Sequence, residues 1–155
     1  MRPVQTQLIE SVFAAFPAGG ESCLMSLKQA DEVDTSYAVS SLDDIRPADW
    51  RSVADAELEN FHWGLAHLDA QSWRFYLPVF LVYSIRHASS GGSLVVNACV
   101  QSLRPPDRVP PRLSVLAPRQ RKAVVATLEF LAFDPQSGFK EDADKALREY
   151  WVDNP

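Results

Sequence analysis

The chain has 155 residues, 46% of them hydrophobic and 23% charged, with a formal net charge of −5. That length suits one domain burying roughly 68–70% of its unfolded surface without staples, and the composition is that of a globular chain. The acidic balance argues against a nucleic-acid partner held by phosphate contacts, which need a positive face.

Val4, Leu8, Val12 and Phe16 recur every four residues, so the first helix is predicted from about Val4 to Phe16, with Pro3 in its first turn and "PAGG" ending it. The section from Glu21 to Pro47 reads as extended loop; "CLMSL" has the makings of a short strand, but no second strand nearby would pair with it. A helix is predicted over 52–68, where Leu58, Phe61, Leu65 and Leu68 share one stripe and Ser52 with Asp55 forms a loose capping pattern.

Asp69 is a good N-cap for the next helix. Between Arg74 and Arg86 lie 11 residues, "FYLPVFLVYSI", almost all apolar. A membrane-spanning helix needs about 20 such residues, and the apolar positions fall on every side, which also disfavours surface docking on a membrane. The segment is therefore expected to be a core helix. Pro78 cannot donate to the carbonyl of Arg74, so the expectation is either a helix over 70–76 followed by another starting near Pro78, or one kinked helix. "ASSGG" at 88–92 closes it as a turn; its glycines before a helix also allow an anion cradle, without the Lys of a phosphate loop.

Ser93 to Leu103 reads as a helix with Val95, Cys99 and Leu103 one below the other, a strand at Leu94–Val96 being the alternative. "RPPDRVPPR", 104–112, is a Pro-rich connector. "LAPRQRKAVVATLEFLAF" has Pro118 in its first turn and Val124, Leu128 and Leu131 on one face, with "DPQSG" stopping it at 134–138. Phe139, Ala143, Ala146, Leu147, Tyr150 and Trp151 then fall at helical spacing. The predicted fold is all-α, a single domain (1–155) of about six helices, with a long irregular acidic section after the first.

From "LDAQSWRFYLPVFLVYSI", through "LAPRQRKAVVATLEFLAF", to the terminal "ALREYW", the chain resembles a family of small bacterial proteins with no assigned function. Its members carry F-x-Y-Y-L-P-A-Y-L, L-T-P-x-Q-x-x-A-V-x-x-F-L and A-L-x-x-Y-W segments. The matching positions are Phe75, Tyr76, Leu77 and Pro78; Pro118, Gln120, Val124 and Leu131; and Tyr150 and Trp151, within roughly residues 50 to 151. The resemblance implies a bacterial origin and a helical fold, and brings no catalytic residue with it.

Chemistry-bearing patterns are sparse. The N-terminal stretch carries Gln5, Gln7 and Glu10 inside its apolar part and so lacks the core of a secretory signal, making the cytoplasm the default. Cys99, among Val96, Ala98 and Val100, is expected to be a buried thiol, while Cys23 follows a polar loop and has no basic neighbour to activate it. His62 and His67 are five apart, about 140° around a helix, which is wrong for a metal pair. Glu59 and His62 have the i, i+3 spacing of di-iron carboxylate bundles, but no second such pair exists. His87 suits the negative end of the central helix. No metal, no cofactor and no catalytic set is expected.

Charge is the most divided property. Residues 31–60 hold nine carboxylates against Arg46 and Arg51, a net of −7; residues 101–122 hold six cations against Asp107, a net of +5. Either these are solvated faces, opposed or not within the fold, or the acidic edge meets a basic protein, where opposed potentials speed encounter. The candidate partner-binding residues are Asp31, Glu32, Asp34, Tyr37, Asp43, Asp44, Asp49 and Trp50, with Tyr37, Val39 and Trp50 as anchors. The favoured expectation is a protein-binding inhibitor, an immunity protein covering the basic face of a co-expressed toxin or effector. The alternatives are a small enzyme or ligand binder with a pocket between helices, His62, Glu59 or His67 at its mouth, and an oligomeric structural protein.

Overall fold

The computed structural model describes residues 1–36 and 45–155. Seven α-helices follow one another, and no strand occurs among the described residues: α1 (Pro3–Ala15), α2 (Leu27–Ser36), α3 (Asp55–Phe61), α4 (Ala70–Arg86), α5 (Leu94–Ser102), α6 (Pro118–Phe133) and α7 (Lys140–Ala146). Short 3-10 helices at Trp50–Ser52 and His62–His67 and a π-helical turn at Leu147–Trp151 complete it. No helix among the described residues is long and apolar enough to cross a membrane.

α4 is the axis of the molecule. Asp69 caps it, accepting from the Ser72 amide at 2.9 Å and from its hydroxyl at 2.6 Å. From Phe75 to Ile85 every side chain is buried, and α1, α5 and α6 all pack on this helix. The helix runs through Pro78 as one element; with neighbours on every side, burial outweighs the lost Arg74 hydrogen bond. Cys99 lies against α4, where burial pushes its thiol up to about 12 despite a hydrogen bond with Ser84, leaving it protonated and inert. Cys23 is buried as well, its thiol pointing at the Pro47 carbonyl at 3.6 Å.

The expected loop over 21–47 is not all loop, because α2 lies inside it. Ser26 accepts from the Gln29 amide at 3.0 Å and so caps α2. "CLMSL" leads into this helix instead of forming a strand: the Leu24 and Met25 amides donate to the Ser72 hydroxyl at 2.8 and 3.2 Å, and the Leu27 amide to that of Tyr76 at 3.0 Å. α2 rests on the 3-10 helix His62–His67 at Gly64, where a Cβ would stand 2.4 Å from the Leu27 carbonyl oxygen and 2.8 Å from the Asp31 amide. Only glycine permits so close an approach.

The predicted 52–68 helix is α3 continued by that 3-10 helix. Ser93 caps α5, accepting from Val96 at 3.3 Å, so the strand alternative at Leu94–Val96 falls. "ASSGG" is a turn, packed with Gly91 against Gly138 of the loop after α6; a Cβ on Gly138 would meet the Gly91 Cα at 2.5 Å. The indole of Trp151 donates to the Leu103 carbonyl at 2.8 Å, fixing the C-terminal turn on the end of α5.

Candidate functional site

The residues singled out on the acidic edge have different fates. Asp31 and Glu32 lie half-buried on α2, and Asp34 belongs to the same helix. Tyr37, Asp43 and Asp44 lie outside the described residues, as does Val39. Asp49 caps the 3-10 helix Trp50–Ser52, accepting from the Arg51 amide at 3.0 Å. Trp50 is 5% exposed, its indole donating to the Phe16 carbonyl at 2.9 Å and its ring 5.0 Å from that of Phe13. It pins the segment to the end of α1 and is a core residue, not a surface anchor.

Trp63 is the aromatic residue that periodicity leaves unremarked. It is 54% exposed, whereas Trp50, Trp73 and Trp151 are all buried. The cause is local geometry: a 3-10 helix turns about 120° per residue. Leu65 and His62 therefore face inward, while Trp63 points out and Gly64 turns toward α2. Trp63 forms one wall of a groove of about 190 Å³ between this helix and α5. Leu94, 53% exposed, and Ala98 form the facing wall, with Gln101 and Arg108 at the end. The signal available in the sequence is that Trp63 stands off the Leu58, Phe61, Leu65 and Leu68 stripe.

His62 also lines this groove, although only 8% of it is exposed. Its Nδ1 lies 3.1 Å from the Glu59 backbone carbonyl, and Nε2 has no partner among the described residues. The Glu59 carboxylate instead accepts from the Tyr83 hydroxyl at 3.0 Å; burial together with that carboxylate raises the Tyr83 pKa. Glu59 and His62 thus serve separate neighbours. Among the described residues no group of three His, Cys, Asp or Glu is placed to hold a metal ion. His87 ends α4 with its ring stacked on Tyr83, the centroids 4.1 Å apart.

Among the described residues no ion pair joins 31–60 to 101–122. Asp55 takes both Arg86 nitrogens at 2.7 and 3.0 Å, while Glu149 takes Arg104 at 2.7 and 3.1 Å. The other two connector arginines, and Arg121 of α6, turn to carbonyls. Arg108 donates to Ala66 at 2.5 Å, Arg112 donates to Leu68, and Arg121 donates to Leu116 and Ser114 at 2.9 and 2.5 Å. Ala66 and Leu68 close the 3-10 helix, where unpaired carbonyls favour cations. Asp107 organises the connector, accepting from the amides of Arg108, Arg112, Leu113 and Ser114 at 2.8–2.9 Å. Burial pushes this carboxyl up, but the four amides together outweigh it and hold it at about 2.

No curated protein and no solved structure matches the chain. A family model does, over residues 4–154, and the protein belongs to that family of unknown function, DUF6714.

Proposed function

We propose that the protein acts by binding another protein and covering part of its surface, with the Trp63 groove as anchor point and the acidic α2 as flanking edge. The observation that carries this reading is the exposure of Trp63 beside the groove it shares with Leu94. Exposed tryptophan at a pocket is the residue type that most often dominates an interface. α2 packs on the same 3-10 helix through Gly64, which sets Asp31 and Glu32 on the element next to the anchor. A partner with a basic face fits that edge, and the reading is that of an immunity protein occluding a co-expressed toxin. Relative to the sequence-based expectation, the aromatic anchor moves from Trp50 to Trp63.

The test is titration calorimetry of the full chain against the product of the adjacent gene. Trp63→Ala should weaken binding by about thirtyfold, the effect of an interface hot spot. Asp31→Lys combined with Glu32→Lys should slow association and reduce its salt dependence. The reading fails if the adjacent product does not bind at micromolar concentration, or binds both variants as it binds the native chain.

A further inference from the structure

A second cavity, of about 340 Å³, lies under the Pro-rich connector and is lined by Gln101, Ser102, Arg104, Asp107, Arg108 and Arg112, among others. Its most unusual wall is Arg112. This side chain is 5% exposed, yet no carboxylate among the described residues lies within ion-pairing distance of it. One nitrogen, Nη2, donates to the Leu68 carbonyl, and the guanidinium carbon lies 5.9 Å from the centre of the Trp73 ring. Nη1 and Nε have no protein partner among the described residues, and neither is sealed away from the cavity or solvent.

The acids in the neighbourhood are already engaged. Asp107 accepts four backbone amides, and Asp69 accepts the Ser72 amide and hydroxyl. Arg104 is held bidentately by Glu149. Arg108, which stands at the boundary with the Trp63 groove, has a single side-chain partner among the described residues, the Ala66 carbonyl. Burial, and then the charge of Arg108, pull the Arg112 pKa down to about 10, against the smaller opposing effect of the Asp69 and Asp107 carboxylates. A buried cation with a single hydrogen bond and no ion pair is costly, and charge-assisted bonds to an anion are the usual remedy.

We propose that this cavity binds a small oxyanion, a phosphate or carboxylate group, gripped by the free donors of Arg112 and Arg108, with the side-chain amide nitrogen of Gln101 as a further polar contact. A guanidinium offers several fixed, planar N–H donors to the oxygens of such a group, where an ammonium offers a point charge. The site shares Gln101 and Arg108 with the Trp63 groove but rests on Arg112, which does not line that groove, and it needs no protein partner to be tested.

The experiment uses the purified full chain in a non-coordinating buffer at fixed ionic strength, titrated in three arms with inorganic phosphate, glycerol phosphate and malonate. Thermal midpoint and tryptophan fluorescence are read together, since Trp73 lies against Arg112. At least one anion should raise the midpoint saturably below about 10 mM, where matched sodium chloride does not. The responding arm distinguishes free phosphate from an esterified phosphate or a dicarboxylate. Arg112→Lys, which keeps the charge but loses the planar set of donors, should weaken binding by about tenfold. Arg108→Gln, at an exposed position that leaves the core packing untouched, should weaken it as well. Absence of saturation in all three arms overturns the proposal. So does binding that both variants retain at native strength.

Discussion

Trp63 and Trp73 stand ten residues apart and end in opposite surroundings, one 54% exposed and the other fully buried. Both follow a capping signal and both lie near leucines, so local composition does not separate them. Trp73 belongs to a regular helix with other helices on every side. Trp63 belongs to a 3-10 turn whose inner positions are taken by His62 and Leu65, with Gly64 directed to α2. Position around the axis decides the fate of each ring. One contributes to stability and the other is the anchor proposed for recognition.

Truncation makes that contrast measurable. Trp73→Ala removes a fully buried ring and should cost about 4 kcal/mol, read as a lower urea midpoint at unchanged slope. A cost under about 1 kcal/mol would mean that the α4 environment is far looser than its burial indicates.

A smaller effect belongs to the connector that borders the groove. Asp107 has its pKa lowered to about 2, so its contribution to stability is fully present above the ordinary carboxylate range, near pH 4. It is lost as pH falls from there through 2, a contribution of about 1–2 kcal/mol once solvent screening is allowed for. Asp107→Asn should destabilise the protein at pH 7 and flatten the acid limb of its stability profile between about pH 4 and 2. An unchanged acid limb would show that the four amides do not depend on the charge.

The smallest effect belongs to Trp63. Trp63→Ala should change stability by less than about 0.5 kcal/mol, as expected for an exposed side chain. A loss comparable with that of Trp73 would make it a core residue and remove the basis for its role in recognition.

Much of the architecture is legible in the sequence. Asp69 as a cap, the unbroken apolar run after Arg74, and the Val124, Leu128 and Leu131 face identify α4 and α6, because burial on all sides and burial on one side leave different periodicities. α2 escapes detection although Ser26 and Gln29 have capping-box spacing, since its few apolar residues are diluted by charged and polar neighbours. Trp50 resembles a surface anchor because its flanking residues, Asp49 and Arg51, are both charged; its partners Phe13 and Phe16 come from the end of α1. Arg112 illustrates the general limit. A proline-rich stretch carries no mark of burial, and the carbonyl that receives its guanidinium lies 44 positions earlier.

The hydroxyls of Ser72 and Tyr76 make one helix depend on another. α2 has ten residues, fewer than a free helix needs to persist in water, and the amides leading into it are satisfied by groups on α4. It is therefore a dependent element. Held by the two α4 hydroxyls at its start and by the 3-10 helix at Gly64, it should not persist as a helix when cut out as a peptide.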